Sequence, residues 1–557
     1  MKPIKQLSIA LFFYLLIIND DQSLVAQPIS VYPSIQINLY LNVSQPSSCI
    51  AVDPITKSIY YGNVTGNVYK VIESTTNYDT LLFDSLDHGI PYLQGMAFKD
   101  SSLFVVGNDW TNGTQGIGIL KKGKLQPNGT RVWTTVMQTV LYPATNATFD
   151  HGFSGIAIDP TGNYIFISSG SRSDHGEIQT AGGTFPTTRE VPLTSAIFKI
   201  PINTLNLTLP NNDSLLKAGG WLFADGTRNS FGLAFNGRGD LLGVENSGDR
   251  DDSEEMNFIQ AGKHYGFPWK MGTNLTPQQF PGYNPATDPL VNPNSKASQM
   301  GYFYNDSTYP PSPTSVVFTD PIENFGPDAN YYRDTIDGKI YKANSQSLGT
   351  FTMHRCPVGL VFDKDSLLTG QFKGDGFMLS FTQGKGDSSG YLASSIWGLP
   401  VVPIDTSEDL VHLEMLYDQA TNSYSVNATR IVYGFNLPVG AAMLDTVIYA
   451  LEYGSTGNRH IWKISMPGAA SLSLPDDSSK DPELQIFPNP VKSILTLGNS
   501  KLIIEKIEVI DMTGRMINVT VQKNNSIDVF HLQSGNYILK IITKEKIFMK
   551  KFVKINN

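Results

Sequence analysis

Short apolar runs recur along the chain, most led by Gly and each followed after a turn by a second apolar run. The copies pair Cys49–Pro54 with Ile59–Gly62, Gly95–Phe98 with Leu103–Gly107, and Gly155–Pro160 with Tyr164–Ile167. They continue with Gly232–Phe235 and Leu241–Val244, Gly359–Asp363 and Leu367–Gly370, and Gly440–Met443 and Val447–Ala450. A third run follows several copies, as at Gly66–Lys70, Ala196–Ile200 and His460–Ile464. Runs of this length, bounded by turn residues and rich in β-branched and aromatic side chains, predict strands. Three or four strands per unit, repeated six times, predict an all-β chain built as a six-bladed β-propeller. A blade cannot bury both faces alone, so its neighbours supply the rest of the core. Small residues at the head of each unit suit inner strands that crowd a central channel. The longest gap, Lys270 to Thr352, is rich in Pro, Asn and Tyr. Long loops in compact domains tend to be functional, and this one is expected over one end of the channel.

The pattern changes after Pro467. Residues 468–483, rich in Ser, Asp, Pro and Ala, read as a linker, and 484–557 as a small antiparallel, β-sandwich-like domain. At the other end, Lys2 and Lys5 precede an apolar run from Leu7 to Ile18, and Leu24-Val25-Ala26 offers a cut before Gln27. Residues 1–26 therefore read as a signal peptide and 27–467 as the propeller. No later run of about 20 apolar residues suggests a membrane span.

Composition narrows the partners. A net charge of -9 argues against nucleic acid, whose phosphates recruit Lys and Arg. With 16% charged residues, a charged disordered chain or a coiled coil is excluded. The two cysteines, Cys49 and Cys356, are as consistent with a disulfide as with two buried thiols.

The C-terminal motifs are Leu484-Gln485-Ile486-Phe487-Pro488-Asn489-Pro490, the turn Asp511–Arg515, Leu532–Lys540 and a basic close at Lys550–Ile555. They resemble the sorting domain of the type IX secretion system of Bacteroidota. The resemblance implies passage across the outer membrane by that machinery, removal of the tail, and release or surface attachment. A carbohydrate-binding accessory module is the alternative. In a bacterial chain, sites such as Asn63-Val64-Thr65 are polar turn residues.

A second resemblance spans residues 40–465. Gln45–Val52 and Leu93–Phe98 look like the first two blades of the soluble quinoprotein glucose/sorbosone dehydrogenases. Asp150-His151-Gly152-Phe153-Ser154-Gly155 resembles the segment that carries the family's catalytic histidine. Gly226-Thr227-Arg228-Asn229-Ser230-Phe231 resembles its cofactor-contacting segment, and Gly262–Trp269 its glycine-aromatic turn. The resemblance implies oxidation of a sugar or polyol hydroxyl with pyrroloquinoline quinone and calcium. His151 would be the base, since an imidazole takes a proton near neutrality. Arg228 and Asn229 would contact the quinone, whose carboxylates suit a guanidinium fork, and Arg228 would also stabilise charge on the reduced quinone. Lys373 and His354 match further cofactor-site positions, and Tyr265 would pack nearby.

The acidic loop Glu245–Glu255 could hold calcium, which takes six to eight hard oxygens. Asn246, Ser247, Gly248, Asp251, Asp252 and Glu255 are its candidate ligands. The loop is about two residues longer than the family pattern. Other departures are the lack of a family glutamine before the second blade, where Ile90 and Pro91 stand, and of two arginines near Asn436 and Leu437. Two further readings stay open: a non-catalytic propeller that binds a glycan or protein, and a calcium-dependent lactonase-type propeller.

Overall fold

The computed structural model describes residues 27–555 apart from 145–148, 344–348, 383–391, 394–399, 402–404, 406, 455–457, 469–485, 499–503, 512–515, 518, 522–525 and 544–546. The expected signal peptide and most of the expected linker lie outside the described residues. The chain divides into two compact units, Met1–Ala469 and Ala470–Asn557.

The first unit is all-β, with only short helical turns among its described residues. Six sheets dominate it. Their first strands are Ser47–Val52, Tyr92–Lys99, Phe153–Ile158, Gly232–Phe235, Pro357–Phe362 and Pro438–Leu444. Each of these strands packs against the next, and the sixth packs against the first, so the order closes into a ring. All six coincide with the heads of the sequence repeats. The third strands also fall where expected, at Val68–Ile72, Ala196–Pro201 and His460–Ser465.

Close approach explains the small residues at the ring. A Cβ added at Gly95 would lie 2.1 Å from the Ser154 carbonyl of the next sheet, and one at Gly232 would lie 2.3 Å from the Val358 carbonyl. Between the sheets, apolar faces meet. Phe153, Ile165, Ile167 and Phe198 pack with Phe104 and Val106 of the preceding sheet. Burial of side chains this size contributes about 1.5–3 kcal/mol each.

Three features lie outside the repeat pattern. Gln36–Asn42, from the start of the unit, pairs antiparallel with His460–Ser465, so the two ends of the unit share the sixth sheet. Leu207–Leu209 pairs parallel with Arg131–Thr139 at the outer edge of the second sheet. In the fifth unit the expected second strand at Leu367–Gly370 is absent; the pairing strand is Gly376–Ser380. Asp363 is the cause. Its carboxylate accepts from the amides of Leu367, Leu368 and Gly374, which winds 363–375 into a long turn.

The second unit holds two four-stranded antiparallel sheets. One apolar cluster, including Val491, Leu495, Val509, Leu539 and Phe552, joins them.

Candidate active site

A cavity of about 350 Å³ opens where the inner strands begin. Ser48, Gln94, Phe231, Val358 and Val439, all at or near the heads of those strands, line it. Residues just upstream of the strands enter the same space: His151 before the third, Arg228 and Asn229 before the fourth, His354 before the fifth. Four of the expected residues thus converge from three separate sheets.

His151 is positioned by the chain it opposes. Its amide donates to the Ser171 carbonyl at 3.1 Å, and Nδ1 lies 3.0 Å from the same carbonyl. With Nδ1–H donating there, Nε2 keeps its lone pair and is the acceptor. Burial first, and then the nearby Arg228 charge, pull the ring's pKa down to about 3, against smaller opposing effects from the Ser171 and Phe149 carbonyls and Asp174. The imidazole is therefore neutral across the physiological range.

Arg228 is 3% exposed and rests on a hub the sequence reading missed. Its Nε donates to the Asp174 carbonyl at 2.9 Å, Nη1 to the Asn246 carbonyl at 3.1 Å, and Nη2 faces the Asp174 carboxylate at 3.4 Å. Three of five guanidinium N–H groups are thus engaged by protein, leaving two for a ligand. Asp174 also takes His175 Nδ1 at 2.8 Å and the Asp249 amide at 2.9 Å. These partners hold its carboxyl below the usual range despite burial. His175 stacks on Phe303 at 4.4 Å, and Asp174 and Glu177 raise its pKa against burial. The signal for this hub was the polar run Ser171–Glu177, whose residues other than Gly176 are buried polar groups although no strand includes them.

Asn229 donates its side-chain amide to Asn246 Oδ1 at 3.0 Å, and its own Oδ1 is buried without a partner. His354 Nε2 meets Asp251 at 2.8 Å. Burial lowers the His354 pKa, but Asp251, Glu254 and Asp249 outweigh it and raise it overall. His354 and Cys356 hold φ of 59° and 52°, a left-handed conformation that non-glycine residues rarely adopt. Both line the cavity. Such strain tends to cluster at functional sites.

The acidic loop is divided in two by its hydrogen bonds. Asn246 and Ser247 line the cavity, together with Asp249 and Glu254, which the sequence reading passed over. Burial and Asp174 raise Asp249 to about 7; burial raises Glu254 to about 8, against His354, the Cys356 amide, Arg355 and Arg228. One oxygen of Glu254 has no partner. The expected carboxylate ligands point elsewhere. Asp251 holds Arg333 and His354, Asp252 holds Arg250 and Asn274, and Glu255 holds the Gly272 amide and Asn257. Gly248 packs on Asp174, where a Cβ would meet its carbonyl at 2.9 Å. Among the described residues no three His, Cys, Asp or Glu side chains converge on one metal-sized point.

Lys373 does not join the site. It is exposed in the 363–375 turn, and that turn follows the end of its inner strand. The neighbouring Asp363, Lys364 and Asp365 line the far end of a second cavity of about 380 Å³, which runs along the inner strands and shares Ser48, Gln94, Phe231 and Val439 with the first. The displaced second strand is the reason: a strand at 367–370 would have carried Lys373 back toward His151, whereas the turn leaves it at the far end. Tyr265 is buried with Ala157, Phe166, Leu233 and Phe235 between the third and fourth sheets, its hydroxyl donating to the Phe258 carbonyl, and it does not line the cavity. Gln94, at the head of the second inner strand, does reach the cavity although Ile90 and Pro91 had suggested no glutamine there. Cys49 and Cys356 are free thiols.

No curated protein sequence matches the chain. Several solved structures resemble it. The apo soluble aldose sugar dehydrogenase of Escherichia coli is 13% identical, covering 78% of this chain and 99% of its own, with a TM-score of 0.48. The holo form of the pyranose dehydrogenase PQQ domain from Coprinopsis cinerea is 11% identical, covering 79% and 97%, with a TM-score of 0.44. A gluconolactonase of Xanthomonas campestris is 9% identical, covering 79% and 95%, with a TM-score of 0.34. Residues 485–556 match the family described as the secretion system C-terminal sorting domain. The chain thus carries a type IX secretion sorting domain at its C-terminus, and it is a protein exported to the cell surface or the extracellular space.

Proposed function

We propose that residues 27–467 form a six-bladed β-propeller that oxidises a sugar or polyol hydroxyl with pyrroloquinoline quinone. A linker at 468–483 joins it to a β-sandwich-like sorting domain at 484–557, and 1–26 serves as the export signal. The observation that carries this reading is the convergence of His151, Arg228, Asn229 and His354 on one cavity of about 350 Å³, the scale of a small-molecule site.

The residues present suit the quinone. Two guanidinium N–H groups of Arg228 remain for carboxylate or carbonyl oxygens. Asn229 brings a buried, unpartnered Oδ1 beside them. When bound, the quinone supplies the two-electron acceptor for the substrate. His151, neutral and held by Ser171, accepts the substrate hydroxyl proton at Nε2, and an anionic ligand beside Arg228 would offset part of the charge that otherwise makes the ring a weak base. Arg228 stabilises negative charge that develops beside it, and it does so without reorganising because Asp174 already fixes its plane. Phe149, Phe231, Val358 and Phe381 give the cavity apolar walls that exclude water.

Calcium fits the acidic loop only in a different form from that expected. Asp251, Asp252 and Glu255 are occupied by protein donors. A calcium ion in the cavity would be held by the unpartnered Glu254 oxygen together with Ser247 and the Asp249 oxygen not taken by the Ala297 amide, where it would neutralise buried carboxyls.

The test is dye reduction by the full chain with calcium, the quinone and a sugar panel. Turnover that His151→Ala lowers by a factor of about 100 or more, with the fold intact, is the expected result. No turnover with any sugar or polyol sinks the reading. Lactone hydrolysis with calcium alone would put a lactonase in its place.

A further inference from the structure

We propose that Lys296 is the cation that receives a ligand carboxylate in the cavity beside His151, the role for which the sequence had suggested Lys373. This inference rests on the cavity being a ligand site, as proposed above. Lys296 lines the cavity, and Lys373 does not. Of the cationic side chains there, His354 is tied to Asp251, and Arg228, which keeps two N–H groups for a ligand, is fixed in place by Asp174 and Asn246, so Lys296 is the one that can move its charge to a second carboxylate. Among the described residues the Lys296 ammonium has no hydrogen-bond or ion-pair partner.

The backbone under Lys296 is fixed, although the side chain is not. Lys296 opens the short helix Lys296–Gln299, capped by Ser295. The next amide, of Ala297, donates to Asp249 Oδ2 at 2.7 Å, and Asp249 is itself a cavity residue. Ala297 is fully buried in an apolar cluster with Phe149 and Phe303, and Phe149 also lines the cavity. Two anchors therefore bind this turn of the 270–352 insertion to the cavity wall, while the four-carbon stem of Lys296 is free to carry its charge to a ligand. A lysine ammonium is a compact point charge with rotatable donors and so suits a carboxylate whose angle is not preset. Half-burial limits solvent screening of the pair.

The carboxylate has two possible sources: the quinone, or an acidic sugar such as an aldonate or uronate. The full chain and its Lys296→Ala, Lys296→Arg and Lys373→Ala variants are titrated calorimetrically with pyrroloquinoline quinone, gluconate, glucuronate and glucose. The wild-type chain should bind at least one of the three anions. Lys296→Ala should weaken that binding tenfold or more, with the effect reduced in added salt. Lys296→Arg should restore most of it, and Lys373→Ala should leave it unchanged. Loss confined to the quinone identifies it as the source; loss confined to the sugar acids identifies the substrate. Failure of the wild-type chain to bind the quinone defeats the proposed function but leaves the sugar-acid arm to judge Lys296. Unchanged anion affinity in a folded Lys296→Ala variant, or no binding of any of these anions by the wild-type chain, overturns the inference.

Discussion

At the scale of single residues, Arg228 ties the site to the fold. It and Asp174 form a pair with both side chains almost wholly buried. Removing the guanidinium takes a charged hydrogen-bond partner from a buried carboxylate that keeps His175 and the Asp249 amide, which typically costs about 1.5–3 kcal/mol. Arg228→Ala should therefore lower the urea midpoint of the first unit by that equivalent, and Arg228→Ala with Asp174→Asn should recover part of it. An Arg228→Ala variant as stable as wild type would show that the pair is unimportant to folding. His151 makes a prediction about pH. Its folded pKa is depressed to about 3 from an ordinary value of 6.5. Stability from burying the neutral ring is thus complete above about pH 6.5 and is lost as pH falls toward 3. Urea melts over that window should show a smaller acid loss in His151→Gln than in wild type. The kcat/KM profile should show no His151 inflection near 6.5. His151, Arg228, Asn229 and His354 were legible because they stand in ordered motifs beside repeat heads. Lys296 was not, since it lies in an insertion without periodicity. Asp249 and Glu254 were hidden among neighbours equally acidic and equally buried, and only their place on the cavity wall distinguishes them.

At the scale of elements, the repeat heads translated directly into inner strands, because alternation and small residues report a crowded ring. Gly232→Ala tests that crowding. Its Cβ would stand 2.3 Å from a backbone carbonyl and 2.6 Å from Val244. Overpacking of this kind typically costs about 1–3 kcal/mol, so a clear fall in thermal midpoint is expected; no change would mean that the fourth and fifth strands separate easily. The fifth hairpin shows where pattern reading fails. Leu367 and Leu368 look like a strand, but Asp363 captures their amides and forces a turn. One carboxylate thereby moves the second strand to Gly376–Ser380 and places Lys373 at the wrong end of the ring for the site. The closing pair of Gln36–Asn42 with His460–Ser465 was equally hidden, since a pairing across more than 400 residues leaves no local signal.

At the scale of the whole molecule, an exported chain combines a sorting domain with a ring of sheets whose cavity gathers a neutral histidine, a buried arginine and a half-buried lysine. The tail was legible as motifs in order, and the ring as a repeat. The identity of the molecule that fills the cavity decides between an oxidoreductase and its alternatives. Equilibrium titration of the full chain with pyrroloquinoline quinone in calcium, followed by the quinone's absorbance, tests it most directly. The account predicts saturable binding of one quinone per chain that His151→Ala retains and Arg228→Lys weakens. The absence of any saturable spectral change with the wild-type chain would contradict it.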